Sequence, residues 1–133
     1  MTIHKILVVD DSKTELFHLS DILGKKGYAV RTAENGEEAM RRLNEDKPDL
    51  ILMDVVIGWG AHADPATELA KAIEQAKKIA TKGNRKLAIV GFVCGTELDP
   101  QVLAKQETIL RSAGMVLTSN SANAAWLAAQ WVK

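Results

Sequence analysis

Lys5-Ile-Leu-Val-Val-Asp-Asp-Ser12 is the stretch that decides the fold, together with its counterpart Pro48-Asp-Leu-Ile-Leu-Met-Asp54. In each stretch a short apolar run leads directly into acidic residues. Short runs rich in β-branched residues and leucine, separated by a helix-like segment, are typical of buried parallel strands. The carboxyl ends of parallel strands meet at one edge of the sheet, where open α/β folds place their chemistry. We therefore expect Asp10, Asp11 and Asp54 to converge at that edge.

Length and composition restrict the class of protein. The 133 residues suit a single domain with its own core. The 17 basic and 17 acidic residues cancel, so no overall field favours nucleic acid or an anionic membrane as a partner. No stretch has the length and apolar character of a membrane span or the pattern of a signal peptide, and the single Cys94 excludes an internal disulfide. We expect a soluble cytoplasmic domain, and the sequence leaves its oligomeric state open.

Strand and helix patterns alternate five times along the chain. The predicted strands cover about 5–9, 28–32, 49–56, 87–94 and 115–118. The predicted helices begin at capping or turn residues, which are Ser12 or Asp11, then Gly36, Asp64-Pro65, Asp99-Pro100 and Ser121. Five such βα units with right-handed crossovers predict an α/β fold, a doubly wound three-layer sandwich of flavodoxin-like type. Its parallel sheet has five strands in the order 2-1-3-4-5, with five helices, and its switch point lies between strands 1 and 3.

Apolar stripes on the first and third predicted helices are expected to face the sheet. Residues three, four and seven apart lie on one side of a helix, so these stripes predict which side chains are buried. The first stripe is Leu16, Leu19, Ile22 and Leu23, and the stripe of the third helix is Leu69, Ala72, Ile73, Ala76, Ile79 and Ala80.

The first 56 residues resemble a known family of signalling domains. Lys5–Ser12, Ala33-Glu-Asn-Gly-Glu-Glu-Ala39 and Pro48–Asp54 occur in the order and at the spacing of the receiver domains of two-component response regulators. The similarity is greatest to the CheY and twitching-motility branch. The resemblance implies a partner that donates a phosphoryl group, either a histidine kinase or a small phosphodonor.

The same resemblance assigns roles to individual residues. It implies that Asp54 is the phosphoacceptor and that Asp10, Asp11 and Asp54 bind Mg²⁺ together with the backbone carbonyl of Val56. Mg²⁺ prefers an octahedral shell of oxygen ligands, and a cation offsets the charge when a carboxylate attacks a phosphoryl group. The alternative is that Asp10, Asp11 and Ser12 only cap a helix. Asp54 favours the metal site, because three converging carboxylates repel one another unless a cation joins them.

The chain departs from the receiver pattern after Val56. Receivers usually continue with a Met-Pro-Gly type of turn, whereas Ile57-Gly-Trp-Gly60 stands here. The Ser or Thr that ends strand 4 has only Cys94 or Thr96 as rough counterparts, and the Lys-Pro pair after strand 5 is replaced by Thr118-Ser-Asn120. In the family that lysine pairs with the phosphoryl group and connects it to the output surface. Its absence is compatible with phosphorylation of Asp54 and predicts that output switching is lost.

Residues 49–133 carry a second resemblance. Leu52–Ala66, Val93–Gln101 and Leu117–Ala125 are similar to the C-terminal flavodoxin-like domain of FdrA-like proteins, in the succinyl-CoA synthetase (acyl-CoA ligase) superfamily. This resemblance implies that glycine loops bind a nucleotide or a CoA-linked ligand, and the candidates are Gly58, Gly60 and Gly95. Glycines and helix N-termini can cradle phosphate groups, although the same residues also shape ordinary turns.

The two resemblances predict a single domain made of a receiver-like half, 1–56, and a CoA-ligase-like half, 57–133. The simplest interpretation is an engineered hybrid joined inside strand 3 that keeps the acidic pocket. A natural phosphorelay receiver and a CoA- or nucleotide-binding module of an acyl-CoA ligase are the alternatives. We do not expect an enzyme, because only one domain of the ligase is represented.

Overall fold

A five-stranded parallel sheet forms the centre of the computed structural model, which describes residues 3–56, 65–94 and 101–118. The strand order is β2-β1-β3-β4-β5, and every neighbouring pair is parallel. The strands are β1 (Lys5–Val9), β2 (Ala29–Ala33), β3 (Leu50–Val56), β4 (Ala88–Cys94) and β5 (Val116–Leu117). The predicted order 2-1-3-4-5 is confirmed.

Helices cover both faces of the sheet. Within the described residues there are four, α1 (Lys13–Lys25), α2 (Gly36–Asp46), α3 (Pro65–Lys82) and α4 (Leu103–Ser112). Buried side chains of α1 form one apolar cluster with the sheet, and those of α2, α3 and α4 form a second cluster on the other face. The three layers of the predicted sandwich are therefore present, and the predicted fifth helix lies outside the described residues. None of the described helices combines the length and apolar character that a membrane crossing requires.

The strands are buried on both faces, which explains their nearly continuous apolar runs. Leu50 and Leu52 of β3 belong to the cluster on the α1 side, whereas Ile51 between them belongs to the cluster on the α2–α4 side. Successive side chains of a strand point to opposite faces, so a strand covered on both sides needs an apolar residue at every position. Asp10, which follows the apolar run of β1, is half-buried and belongs to neither apolar cluster.

Capping residues position the helices that start near the acidic edge. Ser12 is the N-cap of α1, and its hydroxyl accepts a hydrogen bond of 3.3 Å from the backbone N–H of Glu15. Asn35 caps α2 by accepting a 2.8 Å bond from the backbone N–H of Glu38. Such bonds satisfy N–H groups that a helix leaves without an internal partner. The open choice between Ser12 and Asp11 as the cap of α1 is settled in favour of Ser12.

Two predicted core positions are wrong for one shared reason. Ile22 and Ile79 are 36% and 37% exposed. Ile22 follows Leu16 by six positions, and Ile79 follows Ile73 by the same interval. Six residues leave a side chain roughly 120° away from the first, so each isoleucine lies at the flank of the stripe rather than at its centre. Each isoleucine side chain is therefore partly exposed to solvent although it belongs to the apolar pattern of its helix.

The start of α4 also differs from the sequence prediction. We expected it directly after Asp99-Pro100, but the first helical residue is Leu103. Val102 stands at the N-cap position with a φ of 58° and provides no side-chain hydrogen bond to the helix. A β-branched residue with positive φ is unfavourable, so the chain conformation before α4 opposes an earlier start. Residues 95–100 themselves lie outside the described part.

A buried glutamine joins α3 to α4. Gln106 of α4 is only 2% exposed, and its Oε1 accepts a 2.9 Å hydrogen bond from the backbone N–H of Ala66 in the first turn of α3. The first N–H groups of a helix have no partner within that helix, and a buried N–H without one is costly. Gln106 supplies the partner from a different helix and so fixes where α3 begins relative to α4.

Asp49 fixes the register of the two strands that carry the acidic residues. Its Oδ2 accepts hydrogen bonds of 3.0 Å from the backbone N–H groups of both His4 and Lys5. Its own N–H donates to the Lys5 carbonyl at 2.9 Å. These bonds tie the beginning of β3 to the beginning of β1. Because both strands have the same rise per residue, the register set at their beginnings is maintained to their carboxyl ends.

Tyr28 makes the stability of the fold depend on pH. Its titration can be followed directly, because it is the only tyrosine in the chain. It is 7% exposed, and burial raises the pKa of its hydroxyl. The unfolded chain therefore loses this proton first as the pH rises past about 10. We expect the free energy of unfolding to fall with rising pH from that point. Tyrosinate absorbance should titrate at a higher pH in the folded protein than in denaturant, and equal midpoints would contradict the burial argument.

Candidate acidic site at the carboxyl edge of the sheet

The pairing of β1 with β3 brings two of the predicted site residues together. The strands are in register from Ile6 with Leu50 to Val9 with Met53. Asp10 follows Val9 directly and Asp54 follows Met53, so the same register places the two aspartates next to each other along the edge. Neighbouring strands lie about 4.8 Å apart, a separation over which two carboxylates can share one cation.

Asp10 is held in a defined orientation. It is half-buried, and its Oδ1 accepts a 3.0 Å hydrogen bond from the backbone N–H of Ser12. Its own backbone N–H donates to the carbonyl of Ala33 at the end of β2, at 3.1 Å. The carboxylate is thus anchored where β1 leaves the sheet and α1 begins. The N-terminus of α1 carries a partial positive charge, which favours a negative group at this position.

Asp11 differs from Asp10 in exposure. Its side chain is exposed at the turn that leads from β1 into α1. Since Ser12 provides the cap, the carboxylate of Asp11 is not required for starting the helix. The predicted alternative, in which this acidic run only caps a helix, therefore accounts for Ser12 and leaves the role of Asp11 unexplained.

The remaining predicted residues are described only in part or not at all. The backbones of Asp54 and Val56 lie on β3, in register with Phe92 and Cys94 of β4. The side chains of Asp54 and Val56 lie outside the described part of the structure. Gly58, Gly60 and Gly95 lie outside it completely. Among the side chains that the structure describes, no group of three His, Cys, Asp or Glu residues comes together to hold a metal. The three-carboxylate cluster that includes Asp54 stays a prediction.

An exposed ion pair flanks the acidic edge and was missed in the sequence analysis. Lys13, in the first turn of α1, lies with its Nζ 3.9 Å from Oε1 of Glu34 in the connection between β2 and α2. Exposed pairs of this kind contribute little to stability. The lysine nevertheless places a positive charge in the first turn of α1, two residues after Asp11. The position of Lys13 directly after Asp10-Asp11-Ser12 could have indicated that it lies beside the acidic edge.

Thr118 directly follows β5, at the position where the receiver resemblance implies a lysine. Its backbone N–H donates to the carbonyl of Gly91 at 2.8 Å, and its hydroxyl lies 3.3 Å from the same oxygen. The threonine therefore continues the pairing with β4 by one residue. A neutral side chain bound to the sheet occupies this end of the edge.

Together, the sheet order and the aspartates after β1 and in β3 define a receiver-type α/β domain. The structure of a CheY-like receiver domain from Methanospirillum hungatei has a TM-score of 0.68 over 98% of this chain and 94% of that one, at 18% identity, which supports the fold. The chemotaxis protein CheY of Thermotoga maritima is 34% identical over 87 residues, 65% of this chain and 72% of that protein. The chain belongs to the CheY-like response-regulator receiver family.

A second family also matches. The family model described as CoA-ligase matches residues 10–131. The uncharacterized protein YahF of Escherichia coli is 39% identical over 95 residues, which make up 68% of this chain but only 18% of YahF. The chain also spans less than half of several other curated relatives. The similarity to the CoA-ligase family is thus supported by a family model and by a known protein. None of these matches shows an engineered junction.

Proposed function

We propose that this chain is a receiver domain that accepts a phosphoryl group on Asp54. Mg²⁺ would be held by Asp10, Asp11 and Asp54 and by the backbone carbonyl of Val56. The observation that supports this most is the continuous register of β1 and β3, because it aligns the acidic residue after one strand with the acidic residue in the other. The proposed role is that of a phosphoryl acceptor in signalling, not of an enzyme that turns over a substrate.

The residues present fit Mg²⁺ in their chemistry. Carboxylate and carbonyl oxygens are hard ligands, and Mg²⁺ keeps several water molecules, so a few protein oxygens suffice. Asp10 is half-buried and already oriented by Ser12, which reduces the ordering needed on binding. Asp11 is exposed and can approach from solvent. When bound, the ion offsets the negative charge of the acceptor carboxylate and of the incoming phosphoryl group.

The transfer itself requires one nucleophile and one leaving group. A carboxylate oxygen of Asp54 forms a bond to phosphorus while the bond from phosphorus to the donor atom breaks, with the entering and leaving atoms in line. The donor atom is an oxygen in acetyl phosphate and an imidazole nitrogen in a phosphohistidine. With acetyl phosphate as donor, acetate leaves and an acyl phosphate remains on Asp54. The proposed partner is therefore a histidine kinase or a small phosphodonor.

The output of this domain is proposed to be weak. The resemblance implies a lysine after strand 5 that links the phosphoryl group to the output surface, and Thr118 stands there instead. Its hydroxyl and N–H are both close to the carbonyl of Gly91. A neutral group bound to the sheet lacks the charge that would draw it toward a phosphorylated Asp54.

The comparisons favour an uninterrupted receiver over the engineered hybrid. The similarity to CheY of Thermotoga maritima extends over 87 residues, which is more than the 56 that a junction after Val56 would leave. The hybrid stays a prediction without support from these matches. A second candidate function, binding of a nucleotide or CoA near Gly58, Gly60 and Gly95, is favoured by the CoA-ligase family match.

The test is intact mass spectrometry after incubation with acetyl phosphate and Mg²⁺. We expect a single phosphoryl adduct that depends on Mg²⁺ and is absent from the Asp54→Asn variant. Asp21→Asn is the matched control, because Asp21 is exposed on α1 and pairs only with the exposed Lys25 among the ion pairs described, and it should keep the adduct. Both variants must first be shown to be folded.

Two results would contradict the proposal. One is a folded wild-type protein that acquires no adduct, and the other is an adduct that survives in Asp54→Asn. Calorimetric titration of the same samples with CoA and with ATP tests the second candidate function. Binding of either ligand without phosphorylation would favour the ligase-type module.

A further inference from the structure

Asn35 and Gly36, at the start of α2, form a sequence pair that occurs nowhere else in the chain. Of the five asparagines, only Asn35 precedes a glycine. Both residues are exposed where the connection from β2 enters α2. None of the aspartates of the candidate site belongs to this segment. A side-chain amide can react with the backbone nitrogen that follows it, so the surroundings of these two groups decide whether the folded chain permits the reaction.

The backbone nitrogen of Gly36 is free to act as a nucleophile. It belongs to the first helical residue, and the first N–H groups of a helix have no partner inside that helix. No other partner for it appears among the described hydrogen bonds. Gly36 has no side chain, and even a Cβ at this position would have nothing within 4 Å. Neither an acceptor nor a neighbouring side chain therefore hinders the approach of this nitrogen to the Asn35 side chain.

The side-chain amide of Asn35 is held by its oxygen. Its Oδ1 accepts the 2.8 Å hydrogen bond from the backbone N–H of Glu38 that caps α2. When a nucleophile attacks an amide carbon, negative charge develops on the carbonyl oxygen, and a donor already in place stabilises that charge. The Nδ2 group has no partner among the described hydrogen bonds. The cap thus favours attack at Cγ and leaves the amide nitrogen free to depart.

We propose that Asn35 is a modification site at which the folded protein converts a side-chain amide to a carboxylate. The Gly36 nitrogen forms a bond to Cγ of Asn35, the bond from Cγ to Nδ2 breaks, and the proton of the Gly36 nitrogen leaves with Nδ2 as ammonia. One water molecule then opens the succinimide ring at either carbonyl group, which gives aspartate or isoaspartate. The reaction needs no metal and no phosphoryl donor, so it goes beyond the proposed function and does not depend on it.

The two products have different consequences for α2. Aspartate keeps an oxygen that can accept the Glu38 N–H, and aspartate is among the preferred N-cap residues. Isoaspartate routes the backbone through the former side chain. The carbonyl that accepts the Ala39 N–H at 3.0 Å then becomes a carboxylate outside the main chain. The aspartate form should therefore retain the start of α2, and the isoaspartate form should loosen it.

Peptide mapping by mass spectrometry tests the proposal. The folded wild-type protein is incubated in mildly alkaline buffer without Mg²⁺, and the mass increase from amide to carboxyl is followed at Asn35, Asn44 and Asn84. Asn44 and Asn84 precede residues with long side chains, Glu45 and Arg85. We expect Asn35 to convert at least about tenfold faster than the other two, on the scale at which the positioning of reacting groups changes rates.

Two glycine variants separate the role of Gly36 from general effects of the substitution. Gly36→Ala places a side chain beside the reacting nitrogen and should slow the conversion of Asn35 by a similar factor. Gly24→Ala is the matched control, because it makes the same change in α1, where a Cβ likewise has nothing within 4 Å. It should leave the conversion of Asn35 unchanged. Asn35→Asp provides the aspartate product as a chromatographic standard.

Three results would overturn the proposal. The first is conversion of Asn35 no faster than that of Asn44 and Asn84, and the second is an equal rate at Asn35 in Gly36→Ala and the wild type. The third concerns the folded state. The rate at Asn35 in denaturant, multiplied by the unfolded fraction from denaturant unfolding, gives the rate expected if only the unfolded chain reacts. A native rate no higher than this product would place the reaction in the unfolded chain.

Discussion

Asp10→Asn is expected to weaken Mg²⁺ binding at least about tenfold, on the scale by which changes near metal ligands lower affinity. The substitution removes one negative charge from the acidic edge. It retains an Oδ1 atom that can accept the hydrogen bond from the Ser12 N–H, so the start of α1 is preserved. Calorimetric titration with MgCl₂ measures the effect. The phosphoryl adduct formed with acetyl phosphate should fall in parallel, because the same ion supports the transfer.

The matched control for this prediction is Asp21→Asn. Asp21 is an exposed aspartate about two helical turns from the start of α1, and its Oδ2 lies 3.0 Å from Nζ of Lys25. The Asp21→Asn substitution removes the same charge from a position outside the acidic edge and should leave Mg²⁺ affinity unchanged. Equal Mg²⁺ affinity in Asp10→Asn and the wild type would remove Asp10 from the proposed ligands.

Gly91→Ala is expected to destabilise the protein by about 3 kcal/mol or more. Gly91 lies in β4 opposite Met53 of β3, and a Cβ at this position would overlap the backbone carbonyl oxygen of Met53. It would also come within 2.5 Å of Cε of Met115. The methionine side chain can move, but the carbonyl belongs to the central strand pair and cannot move without disturbing the ladder. Denaturant unfolding followed by circular dichroism measures the loss.

Gly24→Ala is the control for this glycine substitution. Gly24 lies in α1, and a Cβ there would have nothing within 4 Å. Alanine is favoured over glycine inside a helix by about 0.5 to 1 kcal/mol, so this variant should be slightly more stable than the wild type. The same chemical change is thus expected to have opposite signs at two positions. A Gly91→Ala protein as stable as the wild type would contradict the close approach of β3 and β4.

The sequence was sufficient to predict the sheet order, because its signals are local and repeated. Apolar runs such as Ile6–Val9 mark strands buried on both faces, and capping residues such as Ser12 mark where helices begin. Right-handed crossovers then restrict the order of the strands. The predicted burial was wrong for Ile22 and Ile79, which lie at the flanks of the apolar stripes of their helices and are partly exposed.

The candidate site was predictable in part for the same reason. Asp10 directly follows one apolar strand and Asp54 lies near the carboxyl end of its neighbour, and parallel pairing alone brings such positions together. Features that depend on packing between distant elements could not be predicted. The hydrogen bond from the Ala66 N–H to Gln106 spans 40 positions of sequence. The crowding at Gly91 likewise reflects how closely two strands approach, which no single stretch of sequence encodes.

The bond between Gln106 and Ala66 also bears on how the protein opens. Because the first turn of α3 depends on a side chain of α4, the end of α3 cannot fray in isolation without leaving a buried amide group without its partner. The two helices therefore belong to one cooperative unit in native-state fluctuations, of the kind that hydrogen exchange resolves. Slow exchange of the Ala66 amide would then report on the integrity of α4 as much as on that of α3.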